Sequence, residues 1–108
     1  MATHHAAPGE VVDLSTWAND LPEEKSKAIV KTGAMELARL VLSAGREMAG
    51  HRVEGPLVVH CLSGRITVTL ASGERLLSAG QLLYLQPRES HAVRAHDESV
   101  VLLTIVFP

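Results

Sequence analysis

Imidazole and thiol groups carry the widest chemistry available to this sequence. There are six histidines and one cysteine. Imidazole binds divalent metals through a neutral nitrogen and exchanges protons near neutral pH. Cys61, the lone cysteine, excludes an intrachain disulfide and makes a reducing cytoplasm the default location. His4 and His5 are adjacent in a small, polar lead-in and read as a solvated tail. His96 stands beside Asp97 and Glu98, a cluster that reads as a solvated turn, where an ion pair is worth little. His51, His60 and His91 remain, each inside or beside a stretch with strand character. No nucleophile set accompanies them. Ser90 adjoins His91 in sequence, and on a strand two such neighbours point to opposite faces.

Those histidines need a scaffold, and the length bounds it. The chain has 108 residues, enough for one domain and too few for separate cofactor and substrate domains. Hydrophobic residues make up 46% and charged residues 20%, the balance of a folded domain rather than a disordered tail. Trp17, Tyr84 and Phe107 are the only aromatics, so Leu, Val, Ile and Ala must build the core. Ten basic residues against twelve acidic ones give a net charge of −2. With no basic run, a nucleic-acid partner is not expected. The longest apolar run, around Val100–Val106, is interrupted by Thr104 and is far short of a membrane-spanning helix. The opening residues lack a basic region followed by an apolar one, so no secretory signal is expected.

Residues 1–26 read as a lead-in. Asp13 or Ser15 offers a helix cap ahead of Leu14, Trp17 and Ala18, and Pro22 suits the start of another turn. One or two short helical turns are expected there, with Trp17 anchored on the outside of the main body. From Ala28 onward the pattern changes to strands. Ile66, Val68 and Leu70 alternate with Thr67 and Thr69, a period of two. Gly45, Gly50, Gly55, Gly64, Gly73 and Gly80, with Pro56 and Pro87, punctuate the stretch. Ser72-Gly73 is a hairpin signal. Short strands at regular spacing point to an all-β sandwich or barrel over residues 27–108. Ser99–Phe107 and Pro56–Leu62 are apolar at almost every position, so both faces need cover. One face meets the interior. The other calls for the N-terminal segment or a second copy, and a homodimer is the preferred account.

The glycines and histidines also fall in a frame. Gly45 is followed by five residues and His51, then Val53, Leu57 and Gly64. Gly80 and His91 stand eleven apart, with Pro87 and Arg88 between them. This frame resembles the two motifs of the cupin family, across Met35 to Phe107. The resemblance implies an antiparallel jelly-roll barrel of six to eight strands with a cavity at one end, preceded by a short helical or irregular segment. It also shows departures. Val53 stands where the first motif has its second His, Leu57 where it has Glu, Arg88 where the second motif has Gly, and Ala95 where it has Asn. Family metal sites resemble three His and one Glu around a divalent ion. Here the resemblance leaves His51 and His91 as candidate ligands for iron, manganese, nickel or zinc.

Cys61 and His60 are reserve ligands. Alternation puts Leu57, Val59 and Cys61 on one face, inward in the motif register, where Cys61 reads more readily as a small buried hydrophobe. His60 has the opposite parity unless a bulge near Gly55-Pro56 reverses it. Glu54 lies near the missing carboxylate and is expected to face water from a turn. The inferred cavity lining is Val53, Leu57, Val59, Cys61, His91 and Val93, which suits a small, mostly apolar ligand. Three readings stay open: a small-molecule binding module, an enzyme of isomerase, decarboxylase or dioxygenase type using His51 and His91, and a structural subunit with a vestigial cavity. The first is preferred, because two of the four ligand positions have changed, and fold alone does not fix function.

Overall fold

The computed structural model describes residues 5–14 and 27–108, the side chains of 27 and 49–51 excepted. Nine strands form among them: β1 (Lys27–Lys31), β2 (Met35–Leu42), β3 (Glu47–His51), β4 (Leu57–Ser63), β5 (Arg65–Leu70), β6 (Gly73–Ser78), β7 (Leu82–Leu85), β8 (His91–Ala95) and β9 (Ser99–Val106). Two antiparallel sheets result. One runs β1-β2-β9-β4-β7 and the other β3-β8-β5-β6. This is the all-β class that the alternating pattern predicts, in the jelly-roll form that the cupin resemblance implies. The count exceeds the six to eight strands expected because β1 adds an edge beside β2. Ile29 at its centre is 2% exposed, so this strand is held by burial as well as by pairing. The Ala6 amide donates to the Ile29 carbonyl at 2.7 Å, which ties the N-terminal stretch to β1. Ser15, Trp17 and most of the expected helical turns lie outside the described residues, as does His4. No helix among the described residues is long and apolar enough to cross a membrane.

Alternation decides which side chains go inside. Along β4 and β8, every second residue is buried: Leu57, Val59 and Cys61 on one, His91, Val93 and Ala95 on the other. The two inner faces meet in a core of Leu42, Leu57, Val59, Ile66, Val68 and Val101 with their neighbours, an aliphatic core as the scarcity of aromatics requires. Thr67 is only 7% exposed although it alternates with the core residues of β5. Its hydroxyl is paired with His96 Nε2 at 2.6 Å, so the burial leaves no polar group unmet.

The connections explain the glycine frame. Chain passing from β4 in one sheet to β5 in the other turns at Gly64, which has φ 81°. A side chain there would be strained by the left-handed backbone and would also collide with the Glu98 carbonyl and Ser99. The β5–β6 hairpin closes one residue earlier than expected. Leu70 pairs with Gly73, so Ala71-Ser72 forms the two-residue loop and Gly73 opens β6. Arg88, the residue standing at the second motif's glycine position, adopts φ 63°. The backbone there keeps the glycine conformation after the glycine itself has gone.

Candidate functional site

A cavity of about 200 Å³ lies within the barrel, lined by Leu40, Met48, Val53, Leu57, His91, Val93, Leu103 and Ile105. Each strand contributes through its register. On β8, His91 and Val93 are separated by one outward residue and face the same side. Met48 of β3 is the partner of Val93. Leu57 of β4 is the partner of Ile105 on β9, and Leu103 follows two positions away with Leu40 two strands further along the sheet's inner face. Val53 comes from the β3–β4 loop. Its carbonyl accepts the Arg88 amide at 2.8 Å, joining that loop to the β7–β8 loop beside the cavity. Arg88 Nε also approaches Glu54 at 3.5 Å, but both side chains are about two-thirds exposed, so this pair adds little. Glu54 thus faces water, away from the place of the family carboxylate.

His91 is the polar point of the cavity. It is 8% exposed. Its Nδ1 lies 3.2 Å from the Glu89 carbonyl. A carbonyl only accepts, so Nδ1 donates, and in the neutral ring Nε2 is then the acceptor. This bond holds the ring plane and the tautomer together. The His51 backbone is the register partner of His91, across a β-bulge between Met48 and His51. The His51 side chain lies outside the described residues.

The structure separates the remaining candidates. Val59 and Cys61 have no exposed surface and are not among the lining residues. They pack in the core. The Cys61 thiol donates toward the Ser63 and Gly64 carbonyls at 3.4 and 3.6 Å, and burial pushes its pKa up from the ordinary 9.0. Both effects favour the neutral thiol over the thiolate that a metal would take. Pairing of β4 with β9 is continuous from Leu57 to Cys61, so no bulge reverses the parity of His60. It sits on the outer face between Leu82 and Leu102. His96 is exposed and engaged with Thr67. Sequence reasoning missed Leu40, Met48, Leu103 and Ile105. The alternation of β2 and β9 was visible, but both strands are apolar on both faces, which concealed the face that looks inward.

Cupin metal sites resemble four ligands around one ion, and the described donors do not by themselves make up that centre. Aliphatic Val53 and Leu57 occupy two ligand positions and line the cavity, and among the described residues no group of three or more His, Cys, Asp or Glu could hold a metal. Iron, manganese and zinc ordinarily take three or more protein ligands.

The sequence matches the cupin domain family over residues 38–107. The chain belongs to the cupin family. The matched region covers β2 through β9 after the first residues of β2, so it contains both the glycine frame and the whole cavity. Solved structures with the same fold include a conserved protein of unknown function from Streptococcus pyogenes, at 22% identity and TM-score 0.80, covering 100% of this chain and 96% of the other. A cupin superfamily protein from Desulfitobacterium hafniense aligns at 14% identity and TM-score 0.76, covering 84% and 87%. An RmlC-like cupin from Shewanella frigidimarina aligns at 14% identity and TM-score 0.71, covering 77% and 75%. At these identities the likeness extends to the cupin fold. A comparison with functionally curated proteins finds no match.

Proposed function

We propose that this cupin is a binding barrel for a small, largely apolar molecule, held by aliphatic walls and oriented by one hydrogen bond to His91. The observation that supports it is the cavity: among the described residues that line it, all but His91 are apolar. Apolar walls supply affinity by burial, and a single polar group in a dry site supplies direction. A volume of about 200 Å³ suits a ligand of roughly ten non-hydrogen atoms. The test uses a set of such compounds, each with one hydrogen-bonding group, screened by melting temperature and amide shift mapping. A ligand is expected to raise the melting temperature and move the amides of Val53, Leu57, His91 and Val93. No stabilising compound, and no shift at those amides, would overturn the reading in favour of a vestigial cavity.

The cross-strand pairing of His51 with His91 favours a second reading: a divalent ion bound weakly between them, its shell completed by water or substrate, in an enzyme of the dioxygenase, isomerase or decarboxylase kind. Metal content of untagged protein beside His51→Ala decides it. A near-stoichiometric ion lost in the variant supports the metal reading, and no ion in either protein after incubation with iron, manganese, nickel or zinc removes it.

We further propose that a second copy covers the outer face of the five-stranded sheet on its β7 side. Leu82 and Tyr84 are 58% and 61% exposed there, and Val106 is 40% exposed. Val58, His60, Leu102 and Thr104 are half-buried between them, giving a continuous, nearly uncharged surface of the kind that self-association covers. The buried, lone thiol fits a reducing cytoplasm.

A further inference from the structure

The outer face of β2 holds a group that the barrel cavity does not use. Arg39 lies between Ala38 and Leu40, and Leu40 lines the barrel cavity, so alternation sends Arg39 to the opposite side of the sheet. It is nevertheless 3% exposed. Its Nε donates to the Leu14 carbonyl at 3.2 Å. Its Nη1 is buried and has no hydrogen-bond partner. Among the described residues no carboxylate pairs with this guanidinium. Arginine remains charged in any protein environment, and a buried cation left without a counter-charge is among the costliest groups to keep. Among the described residues, then, the Arg39 charge has no counter-ion.

A cleft of about 380 Å³ adjoins it, lined by Leu14, Arg39, Leu62, Ser63 and Val100. Leu62 and Val100 flank the core residues Cys61 and Val101 in sequence, so they too are on the outer side. Of its described lining residues, three are apolar, one is cationic and one carries a hydroxyl. A phosphate dianion would bring two charges to a single guanidinium and gain nothing from the aliphatic walls. A monoanion with an apolar chain satisfies both: its carboxylate meets the Arg39 side chain at the cleft wall in a charge-assisted bond, and the chain lies against Leu14, Leu62 and Val100.

We propose that this cleft is a second ligand site, separate from the barrel cavity, for a small carboxylic acid with an apolar tail, anchored by Arg39.

The test is amide and Arg Nε–Hε shift mapping on the isotope-labelled full chain, with hexanoate, acetate, hexanamide and inorganic phosphate as probes. Hexanoate is expected to move the Arg39 side-chain signal and the amides of Leu62, Ser63 and Val100 saturably. Acetate lacks the tail and hexanamide lacks the charge, so each is expected to bind at least about tenfold more weakly. Arg39→Gln should abolish the hexanoate shifts. Arg39→Lys, which keeps charge but loses the guanidinium fork, should weaken them, and it serves if the glutamine variant does not fold. The proposal is overturned if hexanoate gives no saturable shift, if its shifts map to Val53, Leu57 and Val93 instead, or if they persist unchanged in both variants. Phosphate binding as tightly as hexanoate would overturn it as well, leaving a plain anion site.

Discussion

Replacing His91 by leucine separates a binding role from a structural one. The imidazole is almost wholly buried among apolar side chains. Leucine removes the Nδ1 bond to the Glu89 carbonyl, a long one at 3.2 Å, together with the further interaction that the imidazole makes, at a cost of about 1–2 kcal/mol. It also removes a polar ring from an apolar cavity, which returns about 1–3 kcal/mol. The added aliphatic surface packs against Leu57 and Val93. Glu89 is half-buried, so its freed carbonyl can reach water. These contributions nearly cancel, and His91→Leu is expected within about 1 kcal/mol of the wild type. In a domain of this size that is a change of no more than about 4–8 °C in melting temperature. Binding should respond differently, because the ligand loses its one directional contact. Affinity for a compound found by the cavity screen is expected to fall about tenfold, while an analogue lacking the hydrogen-bonding group keeps its affinity. Denaturant unfolding and calorimetric titration on the two proteins read both quantities. A loss of more than about 3 kcal/mol in stability, with affinity unchanged, would refute the reasoning and make His91 a structural histidine.

Gly64→Ala should cost more than about 3 kcal/mol or prevent folding, since left-handed strain of about 1–2 kcal/mol is joined by collision with Glu98 and Ser99. Gly45→Ala, with a similar φ and nothing within 4 Å, should cost only the strain, and denaturant unfolding of the two variants compares them. Arg88→Gly should stabilise the fold by about 0.5–1 kcal/mol in the same assay, relief at φ 63° exceeding the extra entropy of an unfolded glycine. Cys61 should resist alkylation in the native state at neutral pH and react once denaturant is added. Its pKa is raised in the folded state from 9.0, so the folded form holds its proton longer, and the thiol's contribution to stability should be intact below pH 9 and decline as pH rises above it. Tyr84→Lys should shift sedimentation from dimer to monomer with little change in the circular dichroism of the protomer, and an unaltered dimer would place the interface elsewhere.

Much of the fold was readable because its punctuation is backbone chemistry. Gly45, Gly64 and Gly80 all have positive φ, and only glycine adopts that conformation without cost. The frame could therefore be seen even where ligand residues had changed. Alternation was equally legible in β4, where Leu57, Val59 and Cys61 are buried and Val58 and His60 are less so. Depth along the barrel was not. Period two assigns a face, but it does not say that Leu57 borders the cavity while Val59 and Cys61 on the same face pack into the core. Nor did the sequence disclose the bulge between Met48 and His51, because its flanking Ala49-Gly50 carries no polar or apolar signature. Arg39 was hidden for the opposite reason. A charged residue in an alternating strand reads as solvent-facing, and its hydrogen bond to Leu14, 25 residues away, leaves no mark on the pattern.

The same separation of backbone from side chain accounts for a cupin with aliphatic residues in ligand positions. The positions at Val53 and Leu57 are held by the β3–β4 loop and by the pairing of β4 with β7 and β9. Replacing a carboxylate or imidazole there by valine or leucine removes an inward-facing polar group that an ion would otherwise have to satisfy. The barrel is then left with apolar walls, whose burial favours folding. Arg88 carries the argument further: it shows that the second motif's turn survives without its glycine, since φ 63° is retained and the Arg88 amide still reaches the Val53 carbonyl. The scaffold specifies where side chains converge, and the residue types at those points specify what is bound. With Val53 and Leu57 beside His91, the arrangement suits a molecule that is itself mostly apolar and offers one hydrogen-bonding group to an imidazole.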